Sequence, residues 1–379
     1  MDFSFAKEYE VCQSMFREFA QNEVKPIAEE VDEEERFPLE TVKKMAACGM
    51  MGIPIPKEYG GEGADTFAYI LAVEELSKVC GTTGVILSAH TSLCAVPILE
   101  YGTEEQKQKY LVPLAKGEKL GSFALTEANA GTDASAQQTV AEDCGDYYLL
   151  NGSKIFITNA GYADIFIVMA MTDKKAGTRG ISAFILEKGM PGFTTGKPEK
   201  KMGIRGSSTC ELIFEDVKVP KENLLGKVGK GFGLAMKTLD GGRIGIGAQA
   251  LGLAQGALDQ TVSYTLERKQ FGRSIAKFQN TQFQVADMHC QTEAARNLVY
   301  KAAWKKDQKL PFSLDAAMAK LFASETAMAV TTKAVQLHGG YGYTREYSVE
   351  RMMRDAKITE IYEGTSEVQK MVISGSVLR

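Results

Sequence analysis

One block of this chain departs from the helical pattern that governs the rest. Between about Gly121 and Pro220 the sequence breaks into short runs of β-branched and aromatic residues, among them Tyr147 to Leu150, Ile165 to Val168 and Ile181 to Leu186. Turn signals at Asn151-Gly152, Gly180, Gly189 and Pro191-Gly192 separate them, as between strands. Before this block, Phe16, Phe19 and Val24, then Ile70, Val73, Leu76 and Val79, follow helical spacing, with breaks at Gly60-Gly61, Gly63 and Gly81. After Gly231 long helices return, with Gly252, Gly256 and Ala257 as small packing positions and Leu253, Leu258 and Val262 on an apolar face. A β segment enclosed by helical ones predicts an α+β fold, mainly α. The expected divisions are a helical domain over 1–120, a β-domain over 121–228 and a helical domain over 229–379.

The chain has 379 residues, 44% of them hydrophobic and 24% charged, enough for a large core and incompatible with disorder. A net charge of −4 leaves no basic footprint, so nucleic acid is excluded as the main partner and a polyanionic ligand must be met locally. Seven cysteines without C-x-x-C spacing form neither a disulfide framework nor a zinc site, and no metal is expected. Reduced thiols fit a cytoplasmic protein. The stretch Met1-Asp2-Phe3-Ser4-Phe5 begins neither a signal peptide nor a transit peptide, and no run of about 18 apolar residues is evident, so no membrane span is expected.

Chemistry concentrates in Met352-Met353-Arg354-Asp355-Ala356-Lys357-Ile358-Thr359-Glu360-Ile361-Tyr362-Glu363-Gly364-Thr365-Ser366. Met352, Met353, Ala356 and Ile361 follow helical spacing, Gly364 is a natural helix stop, and Ser366 with Gln369 reads as a capping box opening the next helix. A carboxylate at such a junction can project into a cleft, which makes Glu363 the candidate catalytic base.

This string resembles the C-terminal signature of the acyl-CoA dehydrogenase family. Upstream, Phe123-Ala124-Leu125-Thr126-Glu127-Ala128-Asn129-Ala130-Gly131-Thr132-Asp133 and Lys154-Ile155-Phe156-Ile157-Thr158-Asn159 resemble a second signature, in the family's order. The resemblance runs to Val377-Leu378-Arg379 and is nearest to the short-chain, butyryl-CoA branch. It implies a helical domain, a β-barrel-like middle domain and a C-terminal four-helix bundle.

Removing two hydrogens from a saturated carbon pair requires a hydride acceptor that no side chain provides. There is no G-x-G-x-x-G with a following acid, so a Rossmann site is disfavoured, whereas Thr126 and Thr158 could hydrogen-bond an isoalloxazine with Phe156 as a wall. The resemblance implies FAD, lined by Phe123, Ala124, Leu125, Thr126, Gly131, Thr132, Phe156, Ile157 and Thr158. It also implies that Arg268, Gln270, Phe271, Phe278 and Gln279 reach the pyrophosphate from a neighbouring subunit of a homotetramer, a dimer of dimers. Gln336, Gly339 and Gly340 in a glycine-rich turn, with Thr365 and Glu367, complete the implied cofactor set. Two positions depart from the family pattern: Ala128 stands for its usual Pro and Phe156 for its usual Trp. His90, His289 and His338 receive no chemical role.

By the same resemblance Glu363 removes the α-proton of an acyl-CoA and the β-hydride passes to flavin N5, giving a trans-2-enoyl-CoA. The thioester oxygen would accept hydrogen bonds from the Glu363 amide and a ribityl hydroxyl. Asp240, Gly242, Arg243, Thr132, Tyr362 and Gly364 are the implied substrate contacts, although Arg243 could serve only to pair with Asp240. Gln249 and Thr359 would shorten the acyl pocket toward C4, at about 0.8 kcal/mol per excluded methylene. The implied electron partner is electron-transferring flavoprotein. An enoyl-CoA reductase running in reverse beside such a flavoprotein is the alternative, an oxidase is disfavoured for want of an extra C-terminal domain, and a silent flavin-binding scaffold is the alternative of another class.

Overall fold

All seven residues of β4 (Ile165–Met171) are buried, so the strand shows none of the in–out alternation of a half-exposed sheet. Both of its faces are covered. Ile165, Ile167 and Met169 pack in one cluster with Ile98, Leu111 and Leu114 from the helical side, while Phe166, Val168 and Ala170 pack in another with Phe184, Phe193 and Phe214. Each such side chain contributes about 1.5 to 3 kcal/mol by leaving water. A computed structural model describes residues 6–378; Met1–Phe5, read above for targeting, and the terminal Arg379 lie outside the described residues.

Around β4 the sheet includes β1 (Gly121–Ala124), β2 (Val140–Asp143), β3 (Tyr147–Thr158) and β5 (Ile181–Glu187), and also β6 (Phe193–Pro198), β7 (Thr209–Pro220) and β8 (Leu224–Leu225). The order is β6-β7-β3-β2-β4-β5-β8, with β1 joining β4 in parallel. The three runs picked out from composition thus fall within β3, β4 and β5.

Helices flank the sheet segment in sequence. The spine is Gly231–Glu267, 37 residues and about 55 Å long at 1.5 Å per residue. Helix Thr66–Ser77 lies so close to it that a Cβ on Gly252 would stand 2.7 Å from Ser77 Cβ, and one on Gly256 2.9 Å from the Lys78 carbonyl carbon. These glycines are packing positions, as expected. Gln279–Asp307, Ser313–His338 and the short pair Val349–Thr359 and Ser366–Val377 complete the C-terminal helices.

Several local expectations are corrected. Val262 is exposed rather than on the apolar face, because Leu258, Thr261 and Thr265 form the buried face of the spine there. The break expected at Gly81 is found after Ser77, and Gly81 itself is the first residue of the next helix. Asp240, Gly242 and Arg243, the implied substrate contacts, lie inside the spine. The continuous helical run Gly81–Tyr101 is long and apolar enough by composition to cross a membrane, contrary to the expectation from sequence, but 89% of its most apolar stretch is buried inside the protein, as in a core helix. Its middle, Ala89–Ala95, is a π-helical turn, a feature frequent at functional sites.

Candidate active site

The helix Val349–Thr359 ends five residues before Gly364, earlier than the glycine suggested, and Ile361 is left exposed. Glu363 and Gly364 then take consecutive left-handed conformations, φ +53° and +93°. For a glutamate this costs about 1 to 2 kcal/mol. The next helix is capped by Thr365, whose Oγ1 accepts from Val368 N–H at 3.3 Å, one residue earlier than the expected Ser366 cap. Gln369 turns back instead, its Nε2 donating to Gly364 O at 2.8 Å and Glu363 O at 3.3 Å.

This turn places the Glu363 carboxyl against the spine. A Cβ on Gly242 would overlap Glu363 Oε2 and lie 2.8 Å from Leu93 Cδ2, so the missing side chain makes the notch that the carboxyl occupies. Oε2 is sealed from solvent and has no hydrogen-bond partner among the described residues. Burial pushes this carboxyl up to about 7, held back by the positive charges of Lys320 and Arg243. Arg243 does pair with Asp240, Nη1 to Oδ1 at 2.6 Å, while its buried Nε has no partner among the described residues. The Glu363 N–H makes no hydrogen bond among the described residues.

Beneath the carboxyl, Tyr362 donates its hydroxyl to Gln249 Oε1, and Gln249 Nε2 donates to Gly81 O at 2.9 Å. Thr359 is fully buried, with its hydroxyl on Ala356 O at 2.7 Å. Gln249 is therefore tied under Tyr362, and the Thr359 hydroxyl is satisfied within its own helix.

The helix carrying Leu93 also holds the sheet edge. Asn159 Nδ2 donates to Ile86 O at 3.2 Å and Gly121 O at 3.3 Å, and Gly121 N–H donates to His90 Nδ1 at 3.0 Å. Just before Asn159, a register shift between Lys154 and Ile157 throws Phe156 outward at φ +58°, 60% exposed. Thr126 and Thr158 sit half-buried beside this bulge, Ile155 N–H bonding Thr126 O and Ser122 Oγ bonding Thr158 O. Phe123, Ala124, Leu125 and Ile157 pack inward, whereas Gly131 and Thr132 are exposed on the following loop. Lys154 is fully buried and spends its three protons on Leu125 O, Glu127 Oε1 and Gln137 Oε1 at 2.8 to 3.0 Å, fixing the Thr126-Glu127 turn.

A separate cavity of about 510 Å³ is lined by Arg268, Gln270, Gln336, Gly339 and Gly340 with Tyr264 and Tyr341. The structure thus joins two segments that lie far apart in sequence. Arg268 stacks over Tyr341 at 5.4 Å and makes no ion pair among the described residues. An added Cβ at Gly339 or Gly340 would meet nothing within 4 Å. An uncommitted guanidinium beside open backbone suits a pyrophosphate, and the exposed Phe156 with its flanking threonines suits an isoalloxazine, so the donor set fits FAD. Next to this cavity Lys269–Gln270 and Arg273–Ser274 form a hairpin whose two-residue turn, Phe271-Gly272, has φ +52° and +76°. Phe271 is 93% exposed at its tip, and Phe278 meets it edge-on. Gln279 opens the following helix; Glu367 lies exposed in the first turn of the last one.

Lys320 carries no mark of a site residue in the sequence. It is fully buried and donates to Gly364 O at 2.7 Å. The available signal was a single charge on the alanine face Ala316, Ala319, Ala323 and Ala327.

Family models for the acyl-CoA dehydrogenase N-terminal, middle and C-terminal domains match residues 6–118, 122–217 and 229–378. The chain belongs to the acyl-CoA dehydrogenase family. It is 68% identical over its whole length to the short-chain specific acyl-CoA dehydrogenase of Clostridium acetobutylicum, of which it covers 100%. It is 51% identical to CarC, a subunit of the caffeyl-CoA reductase-Etf complex of Acetobacterium woodii, covering 99% of each chain. The solved butyryl-CoA dehydrogenase of Megasphaera elsdenii superposes with a TM-score of 0.98 at 56% identity, 100% of both chains covered. The fold expected from the resemblance, mainly helical with one sheet segment, is the fold of this family.

Proposed function

We propose that this acyl-CoA dehydrogenase converts a short-chain, butyryl-CoA-like thioester to its trans-2-enoyl-CoA, with Glu363 as the base. The observation that carries the role of Glu363 is its Oε2, sealed from solvent, unpartnered and seated in the Gly242 notch. An α-proton of a thioester is too weakly acidic for an ordinary carboxylate near pH 7. A carboxyl pushed up to about 7 accepts that proton more readily while staying partly ionised. The Glu363 N–H, unpaired among the described residues, would donate to the thioester oxygen as negative charge develops there. FAD, the family's cofactor, supplies the two-electron acceptor. Thr126, Phe156 and Thr158 would hold its ring, and Arg268 and the turn at Gly339-Gly340 its pyrophosphate.

The buried Gln249, tied to Tyr362, and the buried Thr359 support a short acyl chain, centred on C4. The exposed Phe271 hairpin beside the Arg268 cavity supports a homotetramer in which this segment completes a neighbour's cofactor site. Electron-transferring flavoprotein is the partner, and a cytoplasmic setting accords with exposed free thiols at Cys48, Cys144 and Cys290. The kinship with CarC favours a second reading in which the same carboxyl, protonated, delivers its proton to the α-carbon of an enoyl-CoA. Anaerobic titration of the yellow protein with C3 to C8 acyl-CoAs tests both substrate and class. Bleaching strongest at C4 supports the assignment, and retained colour with every acyl-CoA would contradict it.

A further inference from the structure

Lys320 stands on the fully buried face of helix Ser313–His338, among Ala316, Ala319, Ala323, Ala327 and Ser324. An ammonium stripped of water in such company persists only where partners compensate it. One partner is the Gly364 carbonyl, 2.7 Å away and shared with Gln369 Nε2 at 2.8 Å. That carbonyl belongs to the left-handed pair Glu363-Gly364, a backbone state that a glutamate leaves unless it is held. The other partner is charge: Glu363 attracts Lys320 more than Glu360 or Glu367 does, with Arg243 opposing. Facing Glu363 itself are Lys320 and Arg243 as cations and Tyr69 and Tyr362 as neutral phenols. Arg243 is already committed to Asp240, which leaves Lys320 as the cation whose other buried neighbour is the turn itself.

We propose that Lys320 is the positioning residue of the base: it anchors Gly364 O so that Glu363 is aimed into the Gly242 notch, and its charge favours the carboxylate that accepts the α-proton. The inference rests on Glu363 being that base. It separates two duties of one side chain, a hydrogen bond that fixes geometry and a charge that fixes protonation, and two substitutions divide them. Lys320→Gln keeps a donor for Gly364 O without the charge. Lys320→Met keeps the length and removes both.

The test is anaerobic single-turnover flavin bleaching of the FAD-loaded oligomer by butyryl-CoA across about pH 5.5 to 9, with FAD content measured in each variant. Removing a nearby cation makes the carboxyl hold its proton to higher pH, so the midpoint of the rate profile rises about tenfold in hydroxide concentration in both variants, and from a midpoint near 7 the rate at pH 7 falls about fivefold in Lys320→Gln and further in Lys320→Met. Above the new midpoint Lys320→Gln recovers to near the wild-type rate, whereas Lys320→Met stays lower because the turn is no longer held. Lys320→Arg keeps the wild-type midpoint. If Lys320→Met fails to load FAD, Lys320→Gln carries the test alone. Midpoints unchanged in both neutral variants would overturn the proposal while leaving Glu363 as base, provided Glu363→Gln is inactive. Bleaching by Glu363→Gln at the wild-type rate would remove the base assignment itself.

Discussion

Glu363 Oε2 occupies the space that a side chain on Gly242 would fill. The two residues are 121 positions apart, so a feature of the spine helix decides where a carboxyl from another turn can rest. Gly242→Ala should gain about 1 kcal/mol of helix propensity, yet displace the carboxyl because its end is the flexible part of the contact. The expected result is a protein at least as stable to denaturant, with normal FAD content and kcat/KM lowered at least about tenfold. Unchanged kcat/KM would show that the notch does not position the base.

The protonation of Glu363 links activity to stability. Its folded value, about 7, lies above the ordinary 4.5, so between those pH values the folded chain holds a proton that the unfolded chain has released. Stability therefore falls as pH rises through that window and levels off above it. Relative to wild type, Glu363→Gln should gain about 1 to 3 kcal/mol between pH 4.5 and pH 8, because each tenfold difference in proton affinity between folded and unfolded chain is worth about 1.4 kcal/mol. Urea midpoints of both proteins at the two pH values check this; parallel curves would contradict it.

Lys154 ties the Thr126-Glu127 turn to β3 from within the core. Lys154→Met strands the buried Glu127 carboxylate, which still accepts from Gln138 and Thr139 N–H but has lost its cation. A loss of about 3 to 5 kcal/mol is expected in chemical denaturation, with weaker flavin retention. A loss below about 1 kcal/mol would mean that the network is solvated in solution.

Arg268 makes no ion pair among the described residues, so its removal should leave the folded chain nearly as stable. Arg268→Ala is expected to lower bound FAD per chain, read from the ratio of flavin to protein absorbance, and to favour smaller assemblies. Full FAD content in an intact oligomer would separate this cavity from the cofactor.

Much of this was legible because the relevant signals are local. Strand runs at Tyr147, Ile165 and Ile181 and the small packing positions Gly252 and Gly256 emerged as read. The errors arose where tertiary contacts overrode local pattern. Ile361 has helical spacing but falls beyond a helix that ends at Thr359, since the chain must turn to present Glu363. Ser366 and Gln369 look like a capping box, yet Gln369 is drawn back to the carbonyls of that turn and Thr365 caps instead. Lys320 was invisible as a site residue because its meaning depends on burial against a segment 44 residues away. The left-handed φ of Phe271 has no sequence mark either, as a type I′ turn ordinarily favours Asn or Gly at that position.

The most direct test is single-turnover flavin bleaching by butyryl-CoA in the FAD-loaded Glu363→Gln protein. The carboxamide keeps the shape that fills the Gly242 notch and cannot take a proton, so FAD and acyl-CoA should bind while bleaching slows by about 10² to 10⁴-fold or more. Bleaching within tenfold of wild type would place the base elsewhere.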